Sequence, residues 1–202
     1  NTAYNLFSDK ETVDVDLIFQ ANTSLARADN LTITNNLISI ADARKDVVAF
    51  VSPCGAEYVT SAATTFTNIS TNRDTVTSSS YAFMDSGRLY VYDKYNDTHR
   101  WIGGAGTCAG LTANADLVAD AWFSPAGFTR GNLRNVTKLA YNPDQAHRDS
   151  LYKKGVNPVV TFPGAGTVLY GDKTLQVKPS AFDRINVRRL FIVMEEAISV
   201  AS

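Results

Sequence analysis

Histidine and cysteine are scarce in this chain, with two of each among 202 residues. Much hydrolytic, redox and zinc chemistry is built from those side chains, so the scarcity narrows function before any motif is read. Cys54 and Cys108 stand far apart with no second pair nearby. That excludes a disulfide framework and zinc-ligand spacing, and leaves two reduced, semi-buried thiols. His99 lies in "NDTHRW" and His147 on a helix face in "DQAHRD". Each is flanked by Asp and Arg, as solvated or salt-bridged histidines are. No G-x-S-x-G elbow occurs, so a serine or cysteine triad has no support.

A charge of one sign is also missing. The 19 basic and 20 acidic residues leave a net charge of −1, without the basic excess that nucleic-acid binding usually brings. No apolar run approaches the ~18 residues that would span a membrane. No P-loop exists, because "PGAGTVLYGDKT" sets Lys173 at the wrong spacing. "DKYND", Asp93 to Asp97, lacks the glycine and closing glutamate of a calcium loop and reads as a hydrogen-bonded turn. These absences predict no catalytic residue, no metal and no cofactor. Asn22, Asn30, Asn68, Asn96 and Asn135 head N-x-S/T triplets, which arise easily in so Asn- and Thr-rich a chain. The first residue is not Met, and "NTAYNLFSDKETVDVDLIF" reads like the interior of a domain, so a fragment of a longer protein is expected.

What is present is ordinary globular material, 45% hydrophobic and 19% charged, with length for one sizeable core. Alternation turning apolar over residues 13–19 predicts a strand. Leu31, Ile33, Leu37, Ile38, Ile40 and Ala41 predict a helix over residues 29–44, and the continuous run "VVAFV" at 47–51 a buried strand. Together they form a βαβ unit with parallel strands. Residues 60–80 read as part helix, part surface loop. Residues 81–84 and 89–92 suggest a hairpin or two nearby strands around a turn at Asp85-Ser86-Gly87. A helix is expected over 107–122, another over 143–154 with Pro143 in its first turn, short strands at 159–162 and 167–170, and a last helix from about 179 to 200. No repeat or linker interrupts the chain. The predicted fold class is α/β: a mixed, mainly parallel sheet flanked by helices in three layers, as a single compact domain spanning 1–202.

"GAGTCA", residues 104–109, matches the dinucleotide fingerprint G-x-G-x-x-G/A. It follows the polar "YNDTHRWI" rather than a buried strand, and "SPAGFTRG" lies where the acidic partner is needed. A plain glycine loop reads better. A nucleotide-binding α/β enzyme using residues 104–110 remains the alternative function.

The last helix carries "FDRINVRRLF", residues 182–191. At about 100° per residue, Val187, Leu190, Phe191, Met194, Ala197, Ile198 and Ala201 form one apolar arc. Ile185 and Ile192 lie elsewhere. Arg184, Arg188 and Glu195 share one stripe, Arg189 and Glu196 another. This pattern predicts a largely buried helix whose arginines reach specific acidic partners, inside the fold or on a neighbouring chain.

Several stretches, in order, resemble the contractile phage tail sheath family, most closely its T-even type. They are "VDVDLIF", "ISIADARKDVVAFVSP", "YDKYNDTHRW", "WFSPAGFTRGNLRNVTKLA", "QAHRDSLYKKGVNPV", "GTVLYGDKT" and "PSAFDRINVRRLF". The most specific is a short strand, "GDKT", which includes Asp172 and Lys173, and then "INVRRLF" opening a helix. The resemblance implies a virion structural protein, assembled in the host cytoplasm into stacked six-fold rings around a tail tube. Such a sheath contracts to drive the tube through the host envelope, without a chemical step. Implied partners are neighbouring sheath subunits, the tube protein, the baseplate and the tail terminator, with no nucleic acid and no membrane insertion. A bacterial contractile injection machine is a close alternative. The chain would be the family's inner domain without its terminal arms, monomeric and unable to polymerise alone.

Overall fold

A computed structural model describes residues 2–21 and 27–201; the Asn22 triplet lies outside them. The centre is a four-stranded sheet in the order β1-β2-β3-β7, parallel throughout: β1 (Leu17–Phe19), β2 (Val48–Val51), β3 (Ala82–Asp85) and β7 (Val156–Asn157). Every residue of β2 and β3 is buried. Their apolar runs are continuous because both faces of the sheet are covered. Ala49, Val51, Ala82 and Met84 point into one core with Leu37, Ile38, Ile69 and Leu151. Val48, Phe50 and Phe83 point into the other with Leu89, Ala105, Cys108 and Ile185.

The first core is roofed by α2 (Arg27–Arg44), α3 (Ala62–Thr75) and α5 (Gln145–Lys153). A four-residue helix, α1 (Thr2–Asn5), precedes β1 and packs against α2. The second core is covered by α4 (Ala105–Val118), by the first turn of α6 (Ile185–Ala201) and by two small antiparallel sheets. One has the order β5-β4-β6: β4 (Arg88–Asp93), β5 (Thr98–Gly103) and β6 (Val136–Leu139). The other pairs β8 (Val159–Phe162) with β9 (Gly166–Leu169). No helix among the described residues is long and apolar enough to cross a membrane.

The βαβ unit, the helix within 60–80 and the strands near 159–162 and 167–170 lie where the sequence places them. Other expectations are corrected. The α/β class, a parallel sheet flanked by helices, holds; only its mixed character is refined, because the antiparallel strands form separate small sheets and the central one is parallel throughout. Of the two readings of residues 81–84 and 89–92, two nearby strands is the one the structure shows, and the hairpin is not formed. β3 joins the parallel sheet, β4 leaves it, and Gly87 lacks the positive φ of a tight hairpin turn. Instead Ser86 N–H donates to Asn157 O (3.1 Å), carrying the chain one residue further along β7. Helix α4 runs 105–118 instead of 107–122, so the glycine stretch is helical, not a loop. Pro143 lies before Asp144, the residue that caps α5 by accepting from His147 N–H (2.8 Å), and so outside the first turn.

β3 ends on the fully buried Asp85. One carboxyl oxygen accepts from the Ser52 hydroxyl, the other from Gly87 N–H (2.7 Å). Gly104 sits against this group: a Cβ there would lie 2.6 Å from Asp85 Oδ1. Burial pushes the Asp85 pKa up to about 7, against the opposing hydrogen bonds from Ser52 and Gly87. The folded-state value lies above the ordinary 3.8, so the folded chain keeps a proton that the unfolded chain releases. Stability therefore falls as pH rises from about 4 to about 7 and levels off above. Asp85→Asn retains an acceptor for Gly87 and a donor for Ser52. Urea unfolding at pH 4.5 and 7.5 should show a loss in the parent chain that is smaller in this variant. Equal losses would refute the buried carboxyl as its source.

Candidate functional site

The segment Gly171-Asp172-Lys173-Thr174 is held on three sides. Asn157, fully buried at the end of β7, accepts from Lys173 N–H (2.7 Å) and donates to Lys173 O (2.8 Å) and Met84 O (3.0 Å). Thr174 N–H donates to Asp183 O (2.9 Å) and Ile185 N–H to Asp172 O (2.8 Å), a one-step antiparallel ladder between Lys173 and Arg184. Leu175 N–H donates to Ala82 O (2.9 Å) on β3. Gly171 admits no side chain, since a Cβ would lie 2.8 Å from Asn157 Oδ1 and 3.1 Å from Pro158. The loop therefore fixes both the position and the direction of α6.

Each arginine of α6 meets a different environment. Arg189 makes a two-pronged pair with Asp116 of α4 (2.6 and 2.7 Å) and donates to Ala121 O (3.0 Å). Its side chain is 8% exposed, that of Asp116 32%. Arg184 donates to Asp172 and to Tyr152 OH (2.6 Å). Burial first, then the charge of Asp172, push the Tyr152 hydroxyl up to about 12 and keep it protonated. Lys173 Nζ lies 4.8 Å from the centre of the Tyr152 ring. Arg188 corrects the expectation of acidic partners. Its guanidinium is sandwiched between the rings of Tyr81 (4.2 Å) and Phe182 (4.1 Å), and it donates to Ser80 Oγ (2.7 Å) and Tyr81 OH (3.1 Å). Arginine suits such stacking because its flat cation is weakly hydrated.

The glutamates of the two stripes do not join in. Glu195 and Glu196 are exposed and form no ion pair among the described residues. Nor is the helix largely buried. Ile185 (0%), Arg188 and Arg189 face inward, with Ile192 partly covered. The apolar arc faces out: Phe191, Met194 and Ile198 are 37, 45 and 63% exposed, and Val187 and Leu190 half-buried. Three arginines with partners inside the fold outweigh an arc in which Phe191 packs on Phe182 (5.1 Å) while Met194 and Ile198 stay exposed. Nothing local in the sequence points to Asp116, Tyr81 or Tyr152 as partners, because they lie 73, 107 and 32 residues from the arginines they meet.

The remaining candidates are structural in geometry. Asp93 accepts from Tyr95 N–H (3.1 Å), Asn96 Nδ2 (2.7 Å) and Arg100 Nε (3.1 Å), closing the turn between β4 and β5. His99 stacks on Tyr90 (5.0 Å) and His147 on Phe66 (4.0 Å). Cys54 and Cys108 are buried and form no disulfide. No group of three or more His, Cys, Asp or Glu side chains among the described residues is poised to hold a metal.

Arg189→Ala should cost about 2–3 kcal/mol of stability, below the loss for a fully buried pair because Asp116 is part-solvated. A double-mutant cycle with Asp116→Ala, read by urea unfolding, should recover most of that as coupling. Glu195→Gln and Glu196→Gln should stay within about 0.5 kcal/mol. A coupling near zero would remove the pair as the anchor of α6.

Comparison with known proteins gives this geometry a family. The model of the phage tail sheath protein central domain matches residues 6–175. The chain is 43% identical to the tail sheath protein of Vibrio phage KVP40, over 98% of its own length and 32% of the relative's. It is likewise 43% identical to that of Enterobacteria phage T4, over 99% of itself and 32% of the relative. It thus spans about a third of these curated relatives. Among solved structures, the anti-feeding prophage baseplate superposes with a TM-score of 0.71 at 17% identity, covering 95% of this chain and 46% of that one. The sheath of an extracellular contractile injection system in its contracted state gives 0.66 at 18%, covering 94% and 48%. At such identities the likeness is one of fold alone. The identity to the phage proteins and the breadth of the central-domain match place it firmly: the chain belongs to the phage tail sheath protein family.

Proposed function

We propose that this chain is the inner, conserved domain, 1–202, of a contractile tail sheath subunit. In the full-length protein it polymerises around a tail tube between baseplate and tail terminator. It works in the virion after assembly in the host cytoplasm, and its contraction drives the tube through the host envelope. The work comes from the free-energy difference between two sets of subunit contacts rather than from a chemical step. Identity above 40% to phage sheath proteins favours a phage over a bacterial injection machine, whose structures share the fold at under 20%.

The single observation that carries the reading is the orientation of α6. Its arginines are tied inward to Asp116, Asp172, Tyr152 and Tyr81, while Phe191, Met194 and Ile198 present a part-exposed apolar row. Exposed apolar rows of this kind mark surfaces that meet another protein surface. A rigid block with a prepared outer face is what a repeating lattice requires, and contacts that do not close on themselves propagate as a helix.

Electron microscopy of the full-length product should show tubular polymers under assembly conditions. Met194→Asp with Ile198→Asp should abolish or shorten them and leave the melting temperature of the 202-residue chain unchanged. Failure of the parent protein to form tubes under any condition would sink the function, and normal tubes from the double variant would remove this face from the lattice.

A further inference from the structure

Where β1 ends, beside the first turn of α4, lies a cleft of about 320 Å³ walled by Phe19, Gln20, Ile102, Gly103, Gly106 and Thr107. Gln20 is 3% exposed. Its Oε1 accepts from Ser52 N–H (3.2 Å) and from the Thr34 hydroxyl (3.2 Å). A backbone N–H can only donate, so the oxygen is fixed on that side and the NH₂ group on the other. That Nε2 is buried and has no hydrogen-bond partner. A buried donor left unpaired costs about 1–3 kcal/mol, a strong incentive for an acceptor to arrive.

The helix beside it is equally unsatisfied. No side chain caps Gly104, and the first turn of α4 holds no acidic residue. Cys108 N–H is the first to bond within the helix, to Gly104 O (2.8 Å). The N–H groups of Ala105, Gly106 and Thr107 therefore carry the positive end of a 14-residue helix with no partner of their own. Asp85, behind Gly104, does not serve them, since its oxygens are engaged by Ser52 and Gly87. Its raised pKa also leaves it largely uncharged below neutral pH.

We infer that the cleft between Gln20 and the first turn of α4 is a receptor for a carboxylate, supplied by an acidic side chain of another sheath subunit. The donors select the ligand. All are neutral N–H or O–H groups, and the walls hold no lysine or arginine, which suits a singly charged carboxylate better than a phosphate chain. Phe19, 51% exposed, offers an apolar wall for the methylenes of the incoming residue. Carboxylate recognition stands on this geometry alone; the source of the carboxylate rests on the sheath function proposed above.

The test separates the two. Acetate titrated into the ¹⁵N-labelled chain at constant ionic strength should shift the Ala105, Gly106 and Thr107 amide signals and the Gln20 side-chain NH₂ saturably. Gln20→Glu exchanges the donor for a second oxygen and should weaken that response at least tenfold. Gly106→Asp supplies a carboxylate from the chain itself and should abolish it, which keeps the test decisive if Gln20→Glu fails to fold. No saturable shift, an unchanged response in the variants, or a stronger response to inorganic phosphate would overturn carboxylate recognition. In the full-length protein, Gly106→Asp should impair tube formation where the parent forms tubes. Normal tubes would overturn the neighbouring subunit as the source, with the acetate result left intact.

Discussion

The placement of α6 against the central sheet hangs on one buried amide. Asn157 closes β7, and its three hydrogen bonds bind β3 and the Lys173 backbone to one point. The amide is wholly inside, so each of those groups would be left unpaired without it, and such losses are costly where water cannot substitute. The arrangement also dictates its neighbours. Gly171 is glycine because Asn157 fills the space of a side chain. Lys173 can bridge to Arg184 because its own N–H and C=O are already oriented. The sheet thereby determines where α6 begins, although α6 touches the sheet only through its first turns.

From that start, the helix resolves a competition between charge and apolar surface. Burying Arg188 and Arg189 is unfavourable unless each is met by a partner, and the more exposed Arg184 is paired as well. Here Asp116, Asp172 and the rings of Tyr81 and Phe182 meet them. Once the guanidinium groups are so held, the rotation of the helix is set and the apolar arc must face out. Ordinary amphipathic logic, in which the apolar side defines the interior, is reversed because the specific contacts of α6 are polar and directional.

That reversal explains what could be read from the sequence and what could not. The alternation turning apolar over 13–19 and the continuous run at 47–51, with a helix between, gave the parallel pair that the structure places at 17–19 and 48–51; the run is continuous because β2 is buried on both faces. "GDKT" and "INVRRLF" were legible through family resemblance, and their residues do sit together. The arc of α6 was correctly grouped but assigned to the wrong side, since periodicity reports which residues share a face and not what covers it. Around Asp85 two nearby strands are present as one of the two readings had them, and the hairpin is absent for a related reason. Its turn residues serve a buried network with Ser52 and β7, a tertiary role that mimics local turn chemistry. Gln20 carried no signal at all: its unpaired donor emerges only when Ser52 and Thr34 occupy its oxygen.

On the contractile function proposed above, a subunit moving between two lattices would need an interior that does not change between them. The contacts that hold α6 are suited to that demand. They are two-pronged, stacked or laced through backbone bonds, and each is shielded on at least one side. The hydrogen-bonded ones among these contacts weaken steeply when their angles are distorted, which favours a fixed arrangement of α6. The outward apolar row has the opposite character. Dispersion and water exclusion tolerate sliding and re-registration against a partner. Under the proposed function, directional polar bonds inside and adaptable apolar surface outside would divide the molecule into a part that stays fixed and a part whose contacts can be exchanged between neighbours.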